Sequence, residues 1–204
     1  HPLKLIITNM AESEVHWLDL PNHGEKPEMG SRKVPLTREI WIEQDDFREE
    51  APRKWFRLAP GAEVRLKGAC LVRCQEVVKD AAGQVTELRC TWDPQSLGGN
   101  APDGRKVKGT LHWLSAAHAL KAEVRLYERL FTAENPMDVP DNKDWRDVLN
   151  PHSVDIVQDA RVEPGLAGAA PGARFQFERL GYFCVDLDAR PGAPVFNRTV
   201  GLKD

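Results

Sequence analysis

The stretch Glu63-Val64-Arg65-Leu66-Lys67 decides the fold class, because charged and apolar side chains alternate along it without exception. Successive side chains of a β-strand point to opposite faces, so this pattern is typical of a strand buried on one side only. Similar alternating or strongly apolar runs recur at 3–8, 39–43, 85–92, 106–113, 122–126, 174–178 and 182–187. The sequence therefore predicts a chain built mainly of short strands.

Turn residues separate these runs at regular intervals. Residues 81–84 carry a glycine between two strand patterns and predict a hairpin. Longer loops rich in proline and glycine are predicted at 22–30, 96–104, 163–172 and 190–194. Only 44–48 and 145–149 suggest helix, and both are short. Many short strands with regular turn signals favour barrels or a sandwich, so we predict an all-β fold with short helical turns.

Length and composition indicate an ordinary globular chain. Its 204 residues are enough for one large domain or two small ones. No run of 18 apolar residues occurs, so we expect no membrane partner. Four cysteines are too few for a disulfide scaffold, and the start lacks a signal-peptide pattern, which together favour a cytoplasmic location. We interpret Cys70 and Cys74 as buried thiols rather than metal ligands.

Motifs that carry chemistry are absent from the sequence. There is no phosphate-binding glycine loop, no dinucleotide fingerprint, no H-E-x-x-H helix and no nucleophile elbow. The six histidines are scattered, and the carboxylates show no spacing that singles out an acid/base pair. We therefore expect no catalytic residue, metal site or cofactor in this segment. His1 in place of an initiator methionine suggests that it belongs to a longer protein.

Charge is distributed unevenly. The formal net charge of −3 argues mildly against a nucleic-acid-binding domain. However, basic residues dominate 53–73, directly after an acidic run at 43–50, and a second basic knot lies at 105–108. Such runs are either solvated faces or binding surfaces.

Arg65 and Lys67 are the centre of the basic run. They share one face of the predicted strand and lie roughly 6.5–7 Å apart, close to the spacing of phosphates in an extended single strand. Trp55 and Phe56 interleave with the preceding cations, so they either stack on bases or belong to the core.

Several longer motifs occur in a fixed order. They are Lys26-Pro27-Glu28-Met29-Gly30-Ser31-Arg32, Glu39-Ile40-Trp41-Ile42, Asp46-Phe47-Arg48-Glu49-Glu50, Asp103-Gly104-Arg105-Lys106-Val107-Lys108-Gly109, Phe175-Gln176-Phe177-Glu178-Arg179, Gly181-Tyr182-Phe183-Cys184 and Phe196-Asn197-Arg198-Thr199-Val200-Gly201-Leu202. Together they resemble the C-terminal, anticodon-binding region of glutaminyl-tRNA synthetases. The similarity covers essentially the whole chain.

This resemblance implies two six-stranded antiparallel β-barrels of the ribosomal-protein type that clasp the anticodon loop of glutamine tRNA. A distal barrel would span about 33–114, and a proximal barrel about 1–32 plus 115–204. It also implies a monomer whose upstream class I catalytic domain, in the same chain, uses ATP with Mg²⁺ to charge the tRNA with glutamine.

In the first half, the resemblance assigns Arg57 to the third anticodon base and Arg65 and Lys67 to the first. Lys54 belongs to the same tRNA-binding set. The chain departs from the family pattern here: Lys54 replaces a glutamine, Phe56 a lysine and Lys67 an arginine. A lysine keeps the charge of an arginine but loses its planar fork of donors.

In the second half, the resemblance assigns Gln176 and Glu178 to the middle anticodon base, with Arg179 nearby. The alternation independently predicts that Phe175 and Phe177 face a core while Gln176 faces outward.

Three alternatives stay open at this point. Glutamyl-tRNA synthetases of archaea and eukaryotes share this barrel region. Outside the synthetases, the pattern also fits a free-standing RNA-binding barrel protein or a β-sandwich that binds other proteins.

Overall fold

A computed structural model describes residues 1–139 and 142–202, and these residues form an all-β structure, which confirms the predicted fold class. The strands, in chain order, are β1 Pro2–Ile7, β2 Val15–Pro21, β3 Ser31–Thr37, β4 Glu39–Glu43, β5 Glu63–Leu66, β6 Leu71–Lys79, β7 Val85–Asp93, β8 Thr110–Leu111, β9 Leu114–Ser115, β10 Leu120–Tyr127, β11 Val154–Val162, β12 Arg174–Phe177, β13 Gly181–Val185 and β14 Val195–Val200. The helical segments are 3₁₀ turns at Pro27–Met29, Gln44–Asp46, Pro94–Ser96, Trp145–Val148 and Pro164–Leu166. The two turns expected near 44–48 and 145–149 are among them.

The strands form three sheets. A seven-stranded sheet has the order β8-β5-β6-β7-β1-β4-β9, a five-stranded sheet the order β11-β10-β14-β13-β12, and β2 pairs with β3. Most of these pairs are antiparallel, but β1 with β7, β5 with β8 and β10 with β14 are parallel. The sheets thus combine parallel and antiparallel pairs, whereas the resemblance implied barrels of six antiparallel strands.

The chain divides into two compact units. The first contains residues 1–120 with 161–166, and the second contains 121–160 with the residues from 167 onward. The sequence had grouped 1–32 with 115–204. In the structure β1 pairs with both β4 and β7, so residues 2–7 lie inside the sheet of the first unit. The predicted barrel boundaries themselves stay a prediction.

Alternation sets the core of the first unit. Val64 and Leu66 are buried, while Lys67 is exposed, as the pattern of β5 predicted. In β7 the alternate residues Leu88, Cys90 and Trp92 are also buried, whereas Thr86 on the same face is exposed. Burying these apolar faces against each other is the main stabilising contribution to the unit.

The predicted strand over 106–113 is wrong in its extent. Only Thr110–Leu111 pairs, in parallel with Arg65 and Leu66. The segment before it approaches another part of the backbone, since a Cβ on Gly109 would lie 2.5 Å from the carbonyl oxygen of Phe56. Such an approach leaves no room for a side chain at position 109 and requires glycine.

Candidate nucleic-acid interface

Arg57 is held by a loop that closes on itself. Phe47 and Leu58 form a β-bridge at its base, and the indole nitrogen of Trp55 donates to the Leu58 carbonyl at 2.9 Å. Arg57 Nη1 donates to the Asp45 carbonyl at 3.1 Å and lies 3.5 Å from the buried carboxylate of Asp46. These contacts fix the guanidinium while 40% of the side chain stays exposed, so it can still bind a ligand.

Trp55 is partly buried and carries cations on its ring. The guanidinium carbon of Arg48 lies 4.4 Å from the ring centroid, and that of Arg57 lies 5.4 Å from it. The two alternatives considered from the sequence, a role in the core and stacking on bases, therefore apply to different residues. Trp55 supports the loop, whereas Phe56 is 52% exposed. Lys54 is exposed in the turn beside them.

Arg65 braces a distant loop, which the sequence did not show. Its Nε donates to the Gly99 carbonyl, and its Nη1 donates to the Val107 carbonyl at 3.4 Å. Arg65 is half-buried as a result, while Lys67 is exposed. The two cations predicted to share one face of the strand therefore differ in environment, because some of the N–H donors of Arg65 bond to other parts of the protein.

The basic residues at 105–108 differ in whether acidic side chains neutralise them. Arg105 donates to Glu63 at 2.9 Å, to Asp93 at 2.8 Å and to Asp103 at 2.7 Å. The hydrogen bonds that Arg105 donates to these carboxylates, Glu63 foremost, raise the pKa of Arg105 further above its ordinary value. Lys106 and Lys108 are exposed, and Lys108 Nζ lies 5.1 Å from the ring centroid of Phe56. Arg105 is thus neutralised locally, whereas Lys108 joins the basic surface near residue 56.

The second unit positions Gln176 through its aromatic core. Phe177 stacks on Phe183 with ring centroids 4.4 Å apart, and it meets Phe196 edge-on at 5.3 Å. Phe175 also packs edge-on against Phe196. The prediction that Phe175 and Phe177 face a core is confirmed. Gln176, between them, is exposed.

The turn after β12 has an unusual backbone. The Leu180 amide donates to the Phe177 carbonyl at 3.0 Å, and Arg179 has φ 60°. Within the described residues it is the one non-glycine with positive φ, a conformation that costs a side-chain-bearing residue energy. Glu178 is half-buried and Arg179 is exposed. Gln176 lies in β12, and Glu178 and Arg179 lie in the turn that follows it.

Tyr182 is a neighbour of Gln176 that sequence reasoning did not single out. The two residues are directly opposite in the antiparallel pair β12–β13, and Tyr182 is 44% exposed. Directly opposed side chains on one face of a sheet lie within contact range. The signal in the sequence was only that Tyr182 begins an alternating run.

The cysteines are free and three of them are buried, which confirms the expectation of buried thiols at Cys70 and Cys74. Burial raises the pKa of Cys70 to about 12, so its thiol stays protonated at neutral pH. In residues 1–139 and 142–202, no group of three or more His, Cys, Asp or Glu side chains could hold a metal ion. Over the same residues, none of the helical segments has the length and apolar character needed to span a membrane.

Comparison with known proteins assigns both halves of the chain. Two models described as "tRNA synthetases class I (E and Q), anti-codon binding domain" match residues 1–93 and 110–186. The chain belongs to this anticodon-binding family. That result confirms the resemblance found in the sequence, and it places the Arg57 loop in the first matched range and Gln176 in the second.

Three curated relatives are similar to this anticodon-binding chain over its full length. Proteins named glutamine–tRNA ligase are 50% identical in Pseudomonas syringae pv. tomato, 53% in Nitrobacter winogradskyi and 53% in Vibrio cholerae. Each match covers all of this chain and 36% of the relative. The chain therefore spans about a third of the length of these relatives.

Proposed function

We propose that this chain recognises the anticodon of glutamine tRNA as part of a glutamine–tRNA ligase. The observation that carries the proposal is 50–53% identity over the whole chain to relatives of that name. The same observation favours the glutaminyl over the glutamyl class, and it speaks against a free-standing barrel protein or a protein-binding sandwich.

The first unit supplies chemistry suited to a single-stranded loop. Lys54, Arg57, Lys67 and Lys108 are the basic residues of this surface, and Lys108 Nζ lies 5.1 Å from the centroid of the exposed Phe56 ring. Aromatic rings and cations together bind unpaired nucleotides, the rings through stacking and the cations through phosphate. In this proposal Arg57 contacts the third anticodon base, and Arg65 and Lys67 act near the first, with Arg65 also bracing the 99–107 loop.

The second unit supplies directed hydrogen-bonding groups. The amide of Gln176 has a donor and an acceptor, so it can pair with two adjacent edge groups of a uridine. Because an amide can also flip to suit cytidine, a neighbour must hold its orientation. Glu178 is two residues away and Arg179 follows it, and we assign that orienting role to them.

Catalysis would belong to a different part of the protein. In this proposal an upstream class I domain binds ATP with Mg²⁺ and joins glutamine to the tRNA, and the enzyme acts as a cytoplasmic monomer. The chain described here would contribute recognition alone.

A binding experiment tests the proposal. Purified chain is titrated with fluorescently labelled glutamine tRNA and with the same tRNA carrying a cytidine at the middle anticodon position. We expect weaker binding of the changed tRNA, by about 1–3 kcal/mol per lost base contact. Equal affinity for both, or preference for a glutamate anticodon, would refute the proposed specificity.

A further inference from the structure

Phe56 exposes an aromatic ring on a fixed backbone. The preceding turn closes through the Trp55 amide, which donates to the Pro52 carbonyl at 2.8 Å. On the other side, the close approach of Gly109 leaves no room for a side chain there. The ring is nevertheless 52% exposed, so it contributes little to the core. A large apolar group held rigidly at the surface is a candidate contact residue.

A cation from a distant segment lies over that ring. Lys108 Nζ is 5.1 Å from the centroid of Phe56, within the range of a cation–π interaction. The position of Lys108 is set by Arg65, whose Nη1 holds the carbonyl of the adjacent Val107. The Arg65 amide also donates to the Gly109 carbonyl at 2.8 Å. The backbone on both sides of Lys108 is therefore tied to β5.

The charges around the ring favour a polyanion as ligand. Arg57 and Lys54 flank Phe56 in sequence, and Lys108 approaches its face. Arg105, the neighbouring arginine, is neutralised by three carboxylates and adds nothing to this surface. A ring for stacking beside a cation for phosphate is the combination that binds one nucleotide of a single strand.

We propose that Phe56 and Lys108 form a stacking site for one unpaired RNA base, with the ring of Phe56 against the base and the ammonium of Lys108 on an adjoining phosphate. This inference rests on the proposed function only in taking RNA as the ligand.

The test combines protein variants with abasic RNA. The probe is a labelled RNA stem-loop bearing the anticodon loop of glutamine tRNA, and each loop position is made abasic in turn. Phe56→Leu, which keeps apolar bulk but removes the ring, should weaken binding of the intact probe by about 5- to 100-fold. At one abasic position wild type and Phe56→Leu should bind equally, because the stacked base is missing. Phe56→Tyr should restore most of the affinity.

Lys108→Gln separates the charge from the ring. It should flatten the slope of log affinity against log salt by roughly 0.7, the single-strand value for one phosphate contact. Trp17→Leu is the matched control, because Trp17 is 56% exposed in the same unit and lies in the β2–β3 hairpin. It should leave affinity and salt slope unchanged.

Two results would overturn the stacking site. One is wild-type affinity of Phe56→Leu for every probe. The other is an equal loss on every abasic probe, which would mean that the ring only supports the loop. Circular dichroism and the urea midpoint of each variant identify misfolding, and Phe56→Tyr then decides the question. If wild type itself binds the anticodon probe no better than one with a scrambled loop, the proposed function fails instead.

Discussion

The ion pair between Glu163 and Arg32 gives the sharpest test of what stabilises the first unit. Arg32 donates through both Nε and Nη2 to the two carboxylate oxygens, and His112 Nε2 lies 3.9 Å from Oε1. Only 16% of the Glu163 side chain is exposed. Burial by itself would raise the pKa of Glu163, but the hydrogen bonds from Arg32, together with the nearby ring of His112, outweigh it and lower this pKa from 4.5 to about 2.

The pKa difference sets the magnitude. Lowering a carboxyl pKa from 4.5 to about 2 corresponds to ~3 kcal/mol of folding free energy at neutral pH. Arg32 is 37% exposed, so solvent screening reduces the measurable part. We expect Glu163→Gln to lower the free energy of unfolding by about 2–3 kcal/mol at pH 7.

The pH dependence follows from the direction in which folding shifts the pKa of Glu163. Because the folded-state pKa is depressed, the stabilisation is complete above about pH 4.5 and is lost as pH falls through about 2. The difference between wild type and Glu163→Gln should therefore be constant from pH 7 to 5 and shrink toward zero near pH 2.

Urea unfolding followed by tryptophan fluorescence measures this difference. Five of the six tryptophans lie within residues 1–120, so the signal reports mainly on the first unit. Asp19→Asn is the control, since its partner Lys33 and Asp19 itself are 61% and 58% exposed; it should cost less than about 1 kcal/mol. A Glu163→Gln effect as small as the control, or one independent of pH, would refute the reasoning.

Three further predictions concern the two units. Gln176→Ala in the full enzyme should lower kcat/KM for cognate tRNA by the equivalent of about 1–3 kcal/mol, measured by aminoacylation. Equal charging by wild type of tRNAs with uridine and with cytidine at the middle anticodon position would contradict the base assignment. Arg65→Ala should destabilise the first unit by about 1–3 kcal/mol, because it leaves the carbonyls of Gly99 and Val107 without their donor. It should also raise the rate of amide hydrogen exchange across 99–108, and an unchanged rate would show that these hydrogen bonds are dispensable. Phe177→Ala should destabilise the second unit by about 3 kcal/mol, the low end for a core phenylalanine because its ring is half-buried. Amide hydrogen exchange across β12, β13 and β14 measures this, and faster exchange confined to the first unit would argue against the aromatic core.

Sequence alternation located strands wherever one face is buried and the other is solvated. It placed β4 at its observed bounds and β12 within one residue, because alternate side chains there differ in burial. It missed β2, β3, β9, β11 and β14. In β2 no residue is fully buried, and in β14 the adjacent Val195 and Phe196 are both buried, so neither strand alternates cleanly between a buried and a solvated face.

The sequence by itself determined the all-β class, the family and the outward position of Gln176, since each depends on local pattern or on motif order. Only the tertiary structure decided which cations are available. Arg105 is neutralised by carboxylates from other segments, Arg65 is committed to a loop, and Lys108 lies over Phe56. These contacts join residues far apart in the chain. Their energies depend on distances that no local pattern specifies, so composition and charge runs could not have shown them.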